Sequence, residues 1–246
     1  MKIKEIYDFL NTVAPFDTAA EWDNTGMSIG SLHNEVSRVI VALDVTNEVI
    51  EKAVESGAQL VITHHPLIFA PVNVIEQGSV LYNPVKSGVT FISSHTCLDK
   101  AEGGVTDCLA EKVGVTSLYN SKYDEFLKVG EITPCSVEEF AQRVKKSLGC
   151  SVAYTDCGKA ISKVGFCSGS GGDLVFAAAK EGADALLTGE AKHHEYLASR
   201  EVGVALFSAG HYETENIICD VLCSKLKNKF KDLDVEVYGE NPVLYI

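Results

Sequence analysis

Hydrophobic positions near the start of the chain repeat every three or four residues. They are Ile3, Ile6, Tyr7, Leu10 and Val13. This spacing places the side chains on one face of a helix, and a following proline disfavours helical backbone in the residue before it. The pattern therefore predicts an amphipathic helix over residues 2–14 that ends before Pro15.

A strand, a helix and a second strand are predicted between residues 38 and 63. VIVALD at 39–44 and QLVIT at 59–63 are short, nearly continuous apolar runs, which are typical of buried strands. NEVIEKAVESG at 47–57 has the apolar spacing of a helix and ends in glycine. Two strands joined by a helix of this length form a βαβ unit, whose strands are parallel.

The same pattern occurs a second time. Residues 38–65 align without a gap with residues 163–190, which brings Gly57 onto Gly182 and Thr63 onto Thr188. After a loop, each copy continues into another apolar run that ends in histidine, VTFISSH at 89–95 and VALFSAGH at 204–211, and then into a predicted helix, near 103–113 and 213–227. The repeat predicts an α/β fold with two related halves, each containing a mixed sheet flanked by helices.

The border between the two halves is expected near residue 122. We assign the first half to 1–122 and the second to 123–246, and the C-terminal strand expected at 235–246 could join the first half. Between the two repeats, Ser136 and Glu139 have the spacing of a capping box, which predicts a helix from 137 on.

Composition and charge exclude several classes of function. The chain has 246 residues, 46% of them hydrophobic, which is enough to bury a large core without help from a metal. With 34 acidic and 21 basic residues the net charge is −13, so nucleic acid is not an expected partner.

No apolar run approaches the roughly 18 residues of a membrane helix. Glu5 and Asp8 lie where a signal peptide needs an apolar core, and none of the eight cysteines forms a C-x-x-C pair, so we expect a cytoplasmic protein that needs no membrane.

Six of the seven histidines lie at or just after the carboxyl ends of predicted strands. They are His64, His65, His95, His193, His194 and His211. In parallel α/β sheets this edge is where ligands bind. A single histidine at a strand end is more commonly a hydrogen-bonded structural residue, and adjacent residues of a strand point to opposite faces. His64 and His65 can therefore share a site only if the chain turns at Pro66 or if two ions lie close together.

A carboxylate follows two of these histidines at the same distance along the chain. Asp99 comes four residues after His95, and Glu215 comes four residues after His211. On a helix, residues four apart share a face, so each pair could bind one ion. Nitrogen and oxygen ligands without cysteine suit zinc, iron or manganese and do not resemble a closed structural zinc site.

A glycine-rich segment, from Gly165 to Gly172, follows a predicted strand and precedes a predicted helix. Such a loop could cradle a phosphate, but it lacks the lysine of a P-loop and the spacing of a dinucleotide-binding loop. We interpret it as a tight turn, with phosphate binding as the alternative.

Five motifs together resemble the NIF-three-like family, also called GTP cyclohydrolase I type 2. They are EWDNTG at 21–26, THHPLIF at 63–69, SHTCLDKAEGGVTDCLA at 94–110, TGEAKHHE at 188–195 and GHYETE at 210–215. The resemblance spans nearly the whole chain.

The resemblance implies a site for two divalent metal ions per chain. Carried over by position, the family's ligands are His64, His65, Asp99, His211 and Glu215, with Glu215 binding both ions. His95, Glu190 and His194 would lie near the site, and the family implies a ring-shaped homohexamer. Two positions depart from the family pattern: Cys97, where asparagine is more usual, leaves a sixth ligand open, and Glu190 replaces a common aspartate.

The expected function is that of a metal-dependent hydrolase acting on a small molecule, a nucleotide or another heterocycle. Glu190 or His194 could then transfer the proton in catalysis. The alternative is a metal-handling or regulatory protein without turnover. An open coordination position beside an acid would favour the enzyme, whereas saturated ligands would favour the alternative.

Overall fold

Helices and strands alternate along most of the chain. The computed structural model describes residues 1–115 and 117–244. Its helices are α1 Ile3–Val13, α2 Asn47–Ser56, α3 Tyr82–Ser87, α4 Thr96–Lys100, α5 Val105–Lys112, α6 Val137–Leu148, α7 Val175–Glu181, α8 His193–Val202, α9 His211–Glu215 and α10 Ile217–Lys229. Its strands are β1 Gly26–Ile29, β2 Arg38–Ala42, β3 Leu60–Thr63, β4 Thr90–Ser93, β5 Leu118–Asn120, β6 Lys128–Cys135, β7 Ala153–Tyr154, β8 Ile161–Phe166, β9 Ala185–Thr188, β10 Ala205–Ser208 and β11 Asp234–Val237.

The first helix has the amphipathic character that its sequence predicts. Ile3, Ile6 and Leu10 of α1 are buried, and the polar positions between them are exposed. The backbone becomes extended at Ala14, directly before Pro15, which ends the helix as expected.

By contact, the described residues form two units. The first contains Met1–Ala101 together with the chain from Ile218 on, and the second contains Glu102–Ile217. The two halves assigned from the sequence, 1–122 and 123–246, stay a prediction. Where a C-terminal strand was expected at 235–246, the described residues contain the shorter strand β11, Asp234–Val237, which pairs with β2; residues 245 and 246 lie outside the described residues.

The described strands of the first unit form one mixed sheet in the order β1-β4-β3-β2-β11. β2, β3, β4 and β11 are parallel, and β1 pairs antiparallel with β4. One face of this sheet packs against α2, through Ile40, Val61 and Phe91 on the strands and Ile50 and Ala53 on the helix.

The described strands of the second unit form another mixed sheet, in the order β5-β6-β8-β9-β10-β7. β8, β9 and β10 are parallel, and the pairs β5–β6, β6–β8 and β7–β10 are antiparallel. Alternate residues point to opposite faces, so Leu187 and Phe207 pack against α6, whereas Leu186 and Leu206 pack against α7. The α/β fold with two mixed sheets flanked by helices is confirmed.

The internal repeat is confirmed in the register of the strands. In the first βαβ unit Val39 lies beside Leu60, and the gap-free alignment carries this pair onto Val164 and Ala185, which also lie side by side. The helix of each copy ends at an equivalent glycine in the left-handed region, Gly57 with φ 68° and Gly182 with φ 72°. Glycine adopts this conformation without a steric penalty.

The capping box predicted before α6 is present. The Ser136 hydroxyl accepts a hydrogen bond from the backbone N–H of Glu139, and the Glu139 carboxylate accepts one from the N–H of Ser136. Among the described residues, no helix combines the length and the apolar character needed to cross a membrane.

Candidate metal-binding groups

Three histidines of the first unit meet at the carboxyl edge of its sheet. His64 and His65 follow the end of β3, and His95 follows the end of the neighbouring parallel strand β4. The chain bends at His64 and His65, where the Thr63 hydroxyl donates a hydrogen bond to the carbonyl oxygen of His65. This bend removes the alternation of a strand, so the rings of His64 and His65 lie 5.0 Å apart.

Three histidines are close enough to share one metal ion. Ring nitrogens of His64, His65 and His95 all lie within 4.8 Å of one another. The ring centroid of His95 is 5.1 Å from that of His64 and 5.4 Å from that of His65. The family resemblance placed His95 only near the site, whereas the structure brings it into the same group as the two expected ligands.

Each histidine of this group has its Nδ1 atom next to an oxygen. Nδ1 of His64 lies 2.9 Å from the carbonyl oxygen of Ser94, Nδ1 of His65 lies 2.7 Å from Asp44, and Nδ1 of His95 lies 3.0 Å from Asp23. Carbonyl and carboxylate oxygens can only accept, so Nδ1 carries the proton in all three rings. In the neutral ring the lone pair is then on Nε2, so this nitrogen is available to coordinate a metal ion.

Asp99, on helix α4, lies beside His64. Helix α4 follows β4 and precedes the helix expected near 103–113, which is α5, and the Asp99 carboxylate lies 3.4 Å from Nε2 of His64. The fully buried His64 thus has one ring nitrogen next to a carbonyl and the other next to a carboxylate. A cation between Nε2 of His64 and the Asp99 carboxylate would be favoured by the lone pair of the nitrogen and by the negative charge of the carboxylate.

Asp23 and Asp44 are functional candidates that the sequence did not single out. The side chain of Asp23 is fully buried. Burial by itself would raise its pKa, but hydrogen bonds from His95, Thr96 and Thr25 outweigh burial and lower the pKa, so the carboxylate stays ionised. The signals were available: Asp23 lies inside the EWDNTG motif, and Asp44 follows the carboxyl end of β2, where ligands gather.

In the second unit, His211 and Glu215 lie one turn apart on helix α9. Nε2 of His211 is 3.0 Å from the Glu215 carboxylate, which confirms that the four-residue spacing brings the pair together. Nδ1 of His211 lies 3.1 Å from Glu190, in the same arrangement as the histidines of the first unit. Hydrogen bonding to Glu215, opposed by burial and helped by the charge of both carboxylates, raises the pKa of His211 to about 9. This site favours a positive charge beside Glu215, which a proton or a metal ion can supply.

The glycine-rich loop approaches this pair closely. Gly169 has a φ of +61°, and a Cβ atom at this position would overlap the Glu215 carboxylate. The N–H of Gly169 bonds to the Thr214 hydroxyl and the N–H of Gly171 bonds to the Thr188 hydroxyl. These amides are used inside the protein, which agrees with the interpretation of the loop as a tight turn.

The two residues expected to act in proton transfer lie in different surroundings. The side chain of Glu190 is 58% exposed and contacts His211. The side chain of His194 is 74% exposed, and its contact within the described part of the chain is with Glu195, at 3.9 Å. His193 is also exposed. The structure therefore brings Glu190, but not His194, against an expected ligand.

Cys97 is buried on α4, two residues before Asp99. Its sulfur lies 3.4 Å from the Ser94 hydroxyl. Burial raises the pKa of the thiol, with the nearby carboxylates adding to the effect and hydrogen bonds from Ser94 and Thr25 opposing it. The protonated thiol is the poorer metal ligand. None of the cysteines forms a disulfide in the part of the chain that is described.

Known proteins resemble this chain over its full length. It is 32% identical to "GTP cyclohydrolase 1 type 2 homolog" of Campylobacter jejuni, with all of both chains covered, and 30% identical to the protein of the same name from Clostridium perfringens, with 96% of this chain and 95% of the relative covered. The solved structure of Staphylococcus aureus hypothetical protein SA1388 superimposes with a TM-score of 0.93 at 27% identity and covers 100% of this chain and 99% of its own. The family model Duf34/NIF3 (NGG1p interacting factor 3) matches residues 1–242. The chain therefore belongs to the Duf34/NIF3 family.

Proposed function

We propose that this protein is a metal-dependent hydrolase with two divalent ions per chain, acting on a nucleotide or another heterocycle. The proposed ligands are His64, His65, Asp99, His211 and Glu215. Zinc, iron and manganese are the candidate ions, because imidazole and carboxylate ligands suit them.

One observation carries the proposal. Nδ1 of each of the four histidines His64, His65, His95 and His211 faces a carbonyl or carboxylate oxygen at 2.7–3.1 Å. Histidines that bind metals almost always donate their second N–H to such an oxygen, which fixes the ring and raises the basicity of the other nitrogen. A single histidine with such a contact can be purely structural, but the same arrangement at four histidines favours metal binding.

The carboxylates fit the proposal in number and position. Asp99 lies beside His64, and Glu215 lies beside His211. A buried carboxylate such as Glu215 has two oxygens, so it can bind two cations and offset their mutual repulsion. Gly169 supports this role, because the absence of a side chain there leaves room for the Glu215 carboxylate.

Two bound ions would supply Lewis acidity and lower the pKa of a water molecule toward about 7. The protein's own contribution is positioning and proton transfer. The Glu190 carboxylate contacts Nδ1 of His211, so we propose that it orients the His211 ring. Glu190 is also partly exposed, so we propose that it exchanges a proton with solvent. His194 stays a proposed second acid or base. Its side chain is 74% exposed, so it would act from the solvent side of a bound substrate.

The substrate class is proposed from the relatives. Both of the relatives described above carry the name "GTP cyclohydrolase 1 type 2 homolog", and a cyclohydrolase opens a heterocyclic ring with water. The family resemblance likewise implies a homohexamer, which we propose for this chain. Light scattering of the purified protein tests the assembly, and a mass of one chain would contradict it.

The test of function is a screen of zinc-, iron- and manganese-loaded protein against nucleotides and free heterocycles, with product detection by mass spectrometry. Asp99→Ala is the matched inactive variant, because it removes a proposed ligand and leaves His64, His65 and His95 in place. Turnover by the loaded wild-type protein but not by Asp99→Ala supports the proposal. Two tightly bound ions without turnover of any compound would favour a metal-handling or regulatory role.

A further inference from the structure

Two exposed aromatic side chains, Trp22 and Phe69, flank the ring of His95. Their ring centroids lie 5.9 Å and 5.6 Å from the His95 centroid, and both contacts are edge-to-face, with interplanar angles of 71° and 88°. Trp22 is nevertheless 62% exposed and Phe69 is 53% exposed. Water therefore meets most of an indole ring and of a phenyl ring directly beside the histidine group.

Polar contacts hold the backbone beside these aromatic rings. Asp23, next to Trp22, accepts hydrogen bonds from the N–H of Thr96 and from its hydroxyl, at 3.0 and 2.6 Å. The Asn24 side chain donates to the carbonyl oxygen of Ile68, at 2.7 Å, and so ties the segment of Trp22 to the segment of Phe69. The backbone beside both rings is therefore fixed, although the rings themselves are exposed.

An exposed pair of large aromatic rings is costly unless something covers it, and such patches commonly mark binding sites. The surroundings restrict what could cover this pair. The side chain of Asp44, which contacts His65, is 45% exposed, so an accessible carboxylate lies beside the histidine group. A planar nitrogen heterocycle can stack on an indole through its π face and can donate N–H groups to such a carboxylate.

We propose that Trp22 and Phe69 bind the planar aromatic ring of a nitrogen heterocycle, such as a purine base, and hold it beside the histidine group. The inference rests on the proposed function, because it assigns the residues that recognise the heterocycle which that function requires. Trp22 and Phe69 act only as binding residues for the ring, and neither is a proposed ligand of a metal ion.

The single tryptophan of the chain makes the proposal directly measurable. Zinc-loaded full-length protein is titrated with guanosine, and with ribose as a control, while the emission of Trp22 is recorded. Guanosine should quench this emission with a saturable curve, because a base stacks on the indole, whereas ribose should not. Equilibrium dialysis then compares guanosine affinity in variants. Trp22→Leu should weaken binding about tenfold, which corresponds to about 1.4 kcal/mol, and Trp22→Phe should retain most of the affinity.

A matched control is available for the second ring. Phe69 and Phe176 are both 53% exposed, and Phe176 lies on helix α7 of the second unit. Phe69→Leu should weaken guanosine binding several-fold, and Phe176→Leu should not change it. Zinc content should be the same in all of these variants, since none of the substituted residues is a proposed ligand.

The outcomes separate this inference from the proposed hydrolysis. Guanosine binding that depends on Trp22, with no product formed from any heterocycle, supports the aromatic site and contradicts the hydrolase. A zinc-loaded wild-type protein that shows no saturable guanosine binding overturns the aromatic site and leaves the metal centre standing. The aromatic site is also overturned if Trp22→Leu binds guanosine as tightly as wild type, or if its effect is a change of assembly mass in light scattering.

Discussion

Replacement of Gly169 by alanine should displace Glu215, a proposed metal ligand. Gly169 has a φ of +61°, and an ideal Cβ there would overlap an oxygen of Glu215, approach its carboxyl carbon to 3.1 Å and approach Nε2 of His211 to 3.2 Å. The overlap is with a buried carboxylate that has little space to move into. The substitution therefore perturbs Glu215 without changing its chemistry.

The magnitude can be separated into two parts with a control at Gly182. Gly182 has a similar φ of +72°, and no atom lies within 4 Å of its ideal Cβ. Gly182→Ala should cost only the strain of left-handed backbone, about 1 kcal/mol in unfolding free energy. Gly169→Ala adds the disruption of the hydrogen bond between His211 and Glu215, roughly 1–3 kcal/mol. Its Tm should consequently fall at least twice as far as that of Gly182→Ala.

The assay is thermal unfolding together with elemental analysis after reconstitution with zinc. Gly182→Ala should keep the wild-type metal content, whereas Gly169→Ala should lose at least part of it because Glu215 no longer occupies its position. Equal Tm values and equal metal contents in the two alanine variants would show that Gly169 does not hold Glu215 in position.

Three further outcomes concern stability. Chelation should leave the protein folded, because both sheets have buried apolar cores that need no ion; a thermal melt without a transition would show that the metal is structural. In chelated protein, stability should decrease as the pH rises from 6.5 to about 9, because the raised pKa of His211 makes its stabilising charge fully present below 6.5 and lost above about 9; melts of wild type and His211→Gln with the same pH dependence would argue against this. Ser136→Ala should reduce the unfolding free energy by about 1 kcal/mol, because α6 loses its cap, without a change in metal content; an unchanged urea midpoint would contradict the capping role.

Much of the fold could be predicted because its signals are local. Apolar periodicity gave α1 and α2, and the gap-free repeat predicted a strand register that the pairs Val39–Leu60 and Val164–Ala185 share. Strand β6 was not predicted. Its first three residues are buried and its later residues are mostly exposed, so it has neither the continuous apolar run nor the alternation of a typical strand.

The site could be predicted in part, because topology alone brings strand ends together. The rule that ligands gather at the carboxyl edge placed His64, His65 and His95 in one region. It could not assign the partner of each ring, which depends on tertiary contacts. Asp23 lies 72 residues before His95 in sequence, and only the folded chain shows that it holds the His95 ring.

The most direct test of the proposed metal centre is the number of ions per chain in wild type, Glu215→Gln and His211→Ala, measured by elemental analysis and by calorimetric titration with zinc. The account predicts about two ions in wild type, at most one in Glu215→Gln, and weakened but detectable double occupancy in His211→Ala. A neutral amide bridges two cations poorly, whereas water can replace one histidine. Wild-type protein without metal after reconstitution, or Glu215→Gln that binds two ions with unchanged affinity, would contradict the account.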